Sequence, residues 1–374
     1  MLNPDLKMDM AKKTFPDKLG FSAEGLLESP PAVVKSIKIL GSEDIGAKPR
    51  AFSFKNIKAA RSAFPQILFR TKDGGVKIKT LILGGMKNTS KRMINADGNE
   101  LWFVHSGSGC CYTSFGKLGF AGGDYIFIPR SVLYKIELDT PDKGLLLGIE
   151  SWLDFRRPNF GGLLNRDIPY APEKIEKPIT CNNWNDAPDN AEEWEVYVKR
   201  LGRWGTVAVY PFTPFSRISW QGELFPFVLH ASDINTIVSP TTHIDPSAFA
   251  TFITDDKSVC ISTFRPRWIH SLPYSHINHY DEILFYAAKY AARGGMLGPG
   301  DATFHPQGLW HGPQIEALEN WAETLRPQDS PWAEELAIMF ESQKPLIICK
   351  VAFDVEITNY WQSWYLGWKK GSAK

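Results

Sequence analysis

Five cysteines in 374 residues, with no C-x-x-C pair among them, are too few and too scattered for a disulfide scaffold or a cysteine-rich zinc module. Cys110, Cys111, Cys181, Cys260 and Cys349 are therefore expected to be reduced packing residues of a cytoplasmic protein. No hydrophobic run approaches the roughly 20 residues that cross a bilayer. The opening stretch, MLNPDLKMDMAKKTFPDKLG, alternates charged and apolar side chains, so neither a signal peptide nor a membrane helix is expected. Charge of one sign is also missing: 42 basic and 41 acidic side chains give a net +1, which excludes the basic footprint of a nucleic-acid binder. Histidine is sparse as well, at eight in the chain.

Aromatics, prolines and glycines are abundant instead, with 13 tryptophans, 23 phenylalanines, 26 prolines and 30 glycines. Short apolar runs between such breakers predict many short strands rather than long helices. Examples are VKIKTLILGG (76–85), LWFVHSGSG (101–109) and YIFIP (125–129), then WGTVAVYPF, AFATFITDD and VCISTFRPRW later on. That spacing predicts an all-β sandwich or barrel architecture. The length favours two domains. We place a short leader at 1–64, a first β-block at 65–165, a Pro/Asn/Asp/Glu-rich linker at 166–193 and a second β-block at 194–374.

A weak internal repeat supports that division. GDYIFIPRSVLY runs from Gly123 through Pro129 to Tyr134, and GDATFHPQGLWH from Gly300 through Pro306 to His311, with a ring-bearing residue at the same final position. The second copy fits glycine, five residues, Pro-x-Gly, two residues, histidine, which is a sequence motif of the cupin barrel. Its two glycines turn the backbone so that the imidazole of His311 aims inward. Upstream, SHINHYDE supplies His276, Asn278 and Glu282 in the other half of such a site. Two imidazoles and one carboxylate, His276, Glu282 and His311, form the facial set of non-heme Fe(II) oxygenases, with positions left open. Zinc would accept the same ligands but cannot change oxidation state.

The other histidines have plainer readings. His105, His230 and His270 are expected to be hydrogen-bonded structural residues, and His279, three residues after His276, points to the opposite face of a strand. His305 lies six residues before His311, an even number, so in an extended segment it shares the inner face and is expected to line the pocket. ILFYAAKYAARGG, after Glu282, has helical propensity, yet Glu282 can reach a barrel interior only from a strand, and a strand is expected there. Tyr360, Trp361, Trp364, Tyr365 and Trp368 recur at helical spacing and predict a C-terminal helix packed on the core.

Several blocks carry a resemblance. ISWQGELFPF (218–227), THIDPSAF (242–249), FRPRW (264–268), PYSHINHYDE (273–282), GGMLGPGDATFHPQGLWHGP (294–313) and MFESQKPLIICK (339–350) are similar, in order, to the homogentisate 1,2-dioxygenase family, double-cupin iron enzymes that cleave aromatic rings. The resemblance implies an Fe(II) cofactor, an aromatic small-molecule substrate with O₂, and a homo-oligomer, trimeric or hexameric. It implies the same ligand set and adds His243 as acid/base residue beside the substrate hydroxyl, His305 as a second pocket histidine, and Tyr274, Asn278 and Tyr290 as substrate contacts. Two departures stand out: the family's Tyr-Tyr-His-Arg-Asn reads Tyr274-Ser275-His276-Ile277-Asn278 here, and the leader is shorter. The implied reaction opens the ring of a 1,4-dihydroxylated aromatic acid. The competing readings are the same chemistry on another phenol, or a non-catalytic bicupin like the first block, which has Tyr134 where a ligand histidine would stand.

Overall fold

The computed structural model describes residues 9–14, 22–27, 32–41, 46–60, 64–83, 90–139, 144–159, 168–179, 193–215, 220–222, 224–239, 244, 246–269, 275–293, 295–324 and 332–372. They are dominated by short strands, with a helix at Ser363–Ser372 where the aromatic spacing predicts one. The chain divides into two compact units, Lys58–Phe155 with Gly161–Asp233, and Met1–Ile57 with Arg156–Phe160 and Ile234–Lys374. Each is a cupin-type barrel built mainly of antiparallel strands. Cys110, Cys111, Cys260 and Cys349 are thiols outside any disulfide among the described residues, and Cys181 lies outside those residues. Among the described residues no helix is long and apolar enough to cross a membrane.

The first barrel pairs Asn99–Ser106 with Asp124–Ile128 on one side and Gly144–Ser151 on the other, and Gly144–Ser151 in turn pairs with Val76–Leu83. Its second sheet runs through Met93–Asn95, Leu133–Leu138, Gly109–Thr113 and Gly116–Phe120. Strands enclosed on both faces read as continuous apolar runs, and Gly144–Ser151 (GLLLGIES) is buried throughout. Strands covered on one face alternate, as in Gly109–Thr113, where every second residue is buried. Leu81, Trp102, Ile126, Tyr134 and Leu146 belong to its core.

One sheet of the second barrel repeats this pairing pattern. Asp281–Tyr286 pairs with Asp301–His305 and with Ala337–Ser342, which pairs with Val259–Phe264. The registers coincide. Glu282 faces His305 and Glu341, and Glu341 faces Cys260; Glu100 likewise faces Ile128 and Glu150, and Glu150 faces Lys77. Backbone bridges join His276 to His311 as they join Met93 to Tyr134. The resemblance between the two Gly-Asp blocks is thus one turn of a structural repeat that covers these paired strands.

The domain boundaries differ from those read in the sequence. Strand Arg50–Ser53, within the expected leader, pairs with Asp301–His305 and belongs to the second barrel. The hairpin Trp194–Arg200 and Arg203–Tyr210, expected to start the second block, pairs with Met93–Asn95 and belongs to the first. Both are pairings between segments distant in sequence, and local composition carries no signal for them.

Candidate metal centre

Three local choices bring His276, Glu282 and His311 together. Strand Ser275–Asn278 puts His276 and Asn278 two residues apart on one face. The next strand, Asp281–Tyr286, is fully buried despite its helical composition, because pairing on both edges outweighs propensity, and it presents Glu282 inward. His311 arrives through the glycine turns. Gly300 and Gly308 have φ of +82° and +80°, conformations that side chains disfavour, and a Cβ on Gly300 would lie 2.8 Å from Lys55 Cβ. The His276 amide then donates to the His311 carbonyl at 2.7 Å, and the His311 amide returns the bond at 3.0 Å. One nitrogen of each imidazole and one carboxylate oxygen lie within 4.8 Å of one another.

Glu282 is tightly held. Asn278 Nδ2 donates to its Oε2 at 3.2 Å, and His305 Nδ1 lies 2.6 Å from its Oε1. Burial pushes the Glu282 carboxyl up, but His311 and then His305 beside it more than offset this and hold it well below the usual carboxylate range. His305 is itself fully buried, and burial, then the neighbouring His311, lowers its pKa to about 3. A neutral ring that donates from Nδ1 to Glu282 leaves Nε2 to accept from the Tyr360 hydroxyl, 3.0 Å away.

Two features fit a cation. A carbonyl oxygen can only accept, so His311 Nδ1, 3.0 Å from the Leu309 carbonyl, carries the proton. Nε2 is buried without a partner in hydrogen-bond geometry and lies 3.3 Å from Glu282 Oε1, which leaves that nitrogen for an ion. A ligating histidine fixed by a carbonyl on its other nitrogen is the usual metal arrangement. The second feature is charge. Glu100 and Glu150 of the first barrel touch Lys79, and Glu150 also touches Lys77 and Lys199. The strand positions of the second barrel that match Lys77 and Lys79 by register are Cys260 and Ser262, neither of them basic. Glu282 is buried, and a buried carboxylate calls for positive charge.

The other expected site residues are placed as follows. Asn278 is buried with its amide on Glu282, and Tyr290 packs between the Phe264 and Tyr286 rings at 5.8 and 5.5 Å. His305, expected to line the pocket, has no exposed surface and both ring nitrogens hydrogen-bonded, because its strand places it directly opposite Glu282. His243, His270 and Tyr274 lie outside the described residues. His230 is held between Asp124 at 2.6 Å and Glu176 at 2.7 Å, and His279 is exposed. Sequence reading misses the Tyr360 hydroxyl and assigns that residue to packing alone; the hydroxyl meets His305 across 55 residues, and no local pattern encodes that distance.

Comparison with known proteins agrees with this geometry. The family described as homogentisate 1,2-dioxygenase N-terminal matches residues 70–230, and its C-terminal counterpart matches residues 230–370. A protein named as a dioxygenase from Saccharolobus solfataricus is 30% identical over 282 residues, 72% of this chain and 69% of its own length. Homogentisate 1,2-dioxygenase of Legionella pneumophila is 28% identical over 299 residues, 73% of this chain and 68% of the relative. That of Drosophila melanogaster is 28% identical over 285 residues, covering 71% of this chain and 62% of the relative. By both family matches and by the shared length of these relatives, the chain belongs to the homogentisate 1,2-dioxygenase family.

Proposed function

We propose that this chain is an Fe(II)-dependent dioxygenase that opens the ring of homogentisate or a related 1,4-dihydroxylated aromatic acid, with His276, Glu282 and His311 holding the ion. The observation that carries this reading is the approach of those three donors within 4.8 Å, with the buried His311 Nε2 outside hydrogen-bond geometry. Two neutral imidazoles and one carboxylate would leave Fe(II) one residual positive charge and open positions. Bound there, Fe(II) supplies a place where a phenolic oxygen and O₂ meet and a path for electrons between them, which zinc cannot offer.

The chain's own residues do the rest. His305 and Asn278 occupy both oxygens of Glu282, so the carboxylate is oriented before substrate arrives. Of the three donors, His276 is the partly exposed one, so the open side of the centre lies beside it. His243 accepts the phenolic proton and returns it, a duty suited to an imidazole that titrates near neutral pH. Tyr274 and Tyr290 contact the ring. Both atoms of O₂ end in the product, so no reductant is consumed.

Ile277, where the family pattern has arginine, favours a second substrate reading: a phenol with a different substituent. The test is anaerobic iron loading followed by oxygen uptake on homogentisate, gentisate and plain hydroquinone. Homogentisate is expected to give the fastest uptake, and His311→Ala to lose both iron and turnover. Iron-loaded protein that consumes no oxygen with any of the three would make the chain a binding protein.

A further inference from the structure

The first barrel keeps one donor position of the centre and changes two. By register, Met93 stands for His276, Glu100 for Glu282 and Tyr134 for His311. The retained carboxylate does not stand alone. Lys79 Nζ contacts Glu100 Oε1 and lies 2.8 Å from Glu150 Oε2. Lys199 Nζ holds the two Glu150 oxygens at 2.6 and 2.5 Å, Lys77 Nζ reaches Oε1 at 2.8 Å, and Asn95 Nδ2 donates to Oε2 at 2.9 Å. All five charged residues are buried. Two buried oxygens in the cluster, Glu100 Oε2 and the Tyr134 hydroxyl, have no partner in hydrogen-bond geometry. They are neighbours all the same: burial, and then the Glu100 charge, push the Tyr134 phenol well above its ordinary pKa.

We propose that the Lys79 and Lys199 ammonium groups fill the electrostatic place of a divalent cation in the first barrel, and that removing both opens an all-oxygen metal site made of Glu100, Glu150 and Tyr134. Charge conservation supports the exchange. Three ammoniums against Glu100, Glu150 and Asp97, the last 3.8 Å from Lys199, leave the cluster neutral. With Lys79 and Lys199 replaced by neutral side chains and one divalent ion bound, Lys77 and the ion again balance the three carboxylates. The retained acid is in register with Glu282, so the ammonium of Lys79 sits on the carboxylate that corresponds to the second barrel's ligand. Oxygen-only donors select a hard ion, for which Mn(II) is a convenient probe.

The experiment uses the full chain carrying His311→Ala, which silences the second barrel, so the outcome is independent of the proposed iron site. This variant alone, loaded with Mn(II) and dialysed, is expected to retain no metal by elemental analysis. Adding Lys79→Met and Lys199→Met is expected to yield one tightly held Mn(II) per chain, and adding Glu100→Gln to that protein is expected to remove it. A folded Lys79→Met/Lys199→Met protein that holds no Mn(II) overturns the proposal. If that protein is unfolded when metal-free, refolding is followed by circular dichroism across a Mn(II) titration. Recovery that Glu100→Gln prevents supports the proposal, and failure to refold at any Mn(II) concentration overturns it.

Discussion

The two barrels share the order and register of the strands that carry their buried glutamates but surround those glutamates with different charges. Each buries a pair of facing glutamates, Glu100 with Glu150 and Glu282 with Glu341. In the first barrel the compensating charge is covalent, on Lys77, Lys79 and Lys199. In the second, the positions matching Lys77 and Lys79 are Cys260 and Ser262, while His276 and His311 bring ring nitrogens to Glu282. A covalent ammonium can satisfy a carboxylate but offers no exchangeable positions; a borrowed ion does. The difference teaches that activity in a duplicated barrel can be gained or lost by changing where the positive charge comes from, with the backbone left alone.

Breaking the first barrel's compensation gives the largest expected effect. Glu150→Gln leaves three buried ammoniums short of one carboxylate, and such a loss costs about 3–5 kcal/mol, read by urea unfolding. Metal content of the second barrel should be unchanged. Burial raises the Glu150 carboxyl, but Lys79, Lys199 and Lys77 overcome this and hold it well below its ordinary value. Its contribution to stability is therefore present above the ordinary carboxylate pKa and is lost as pH falls through the depressed folded value. Acid unfolding of the wild type should show this loss, and Glu150→Gln should flatten it.

Sharpening the second barrel comes next. Tyr360→Phe removes the hydroxyl on His305 Nε2 and so loosens the group that orients Glu282. Loss of such an outer partner weakens metal affinity by about 10–100-fold, to be measured by competition with a chelator. An unchanged affinity would mean that His305 needs no support. The matched turns give a smaller contrast. Gly308 and its repeat partner Ser131 are both left-handed, at φ of +80° and +65°. Gly308→Ala should destabilise, and Ser131→Gly stabilise, each by roughly 1–2 kcal/mol in thermal unfolding.

The smallest effect concerns His230, which exists only in the first barrel's setting. The hydrogen bond to Asp124 raises its pKa against partial burial, and Glu176 adds to this. Its contribution is complete below the ordinary histidine pKa and fades as pH rises through the raised folded value. Because the side chain is about a third exposed, less than about 1 kcal/mol is at stake. His230→Gln should abolish that fading in unfolding experiments run between mildly acidic and mildly alkaline pH.

Much of the centre is legible in the sequence. The Gly300–His311 motif and the spacing of His276 and Glu282 are short-range patterns, and a strand's alternation converts them directly into facing side chains. The strand at Glu282 is preferred over a helix because a ligand carboxylate must point into a barrel. The Gly-Asp repeat exposes one turn of the duplication and the missing histidine at Tyr134. The lysine cluster is not legible, because Lys77, Lys79 and Lys199 look like ordinary strand charges until register sets them against Glu150. Nor is the true extent of each barrel, since Arg50–Ser53 and the hairpin from Trp194 join partners far along the chain.

The sequence by itself determined the strand-rich architecture, the duplicated glycine turns and the identity of three converging donors, because each rests on residue type and spacing over a few positions. Only the tertiary structure decided which charges neutralise which, and that His305, held by Tyr360, supports the carboxylate rather than standing open. Those outcomes depend on pairing between strands tens or hundreds of residues apart. Burial then raises the energy of any unmatched charge, so small shifts in register decide whether a carboxylate meets a lysine or is left for a metal ion.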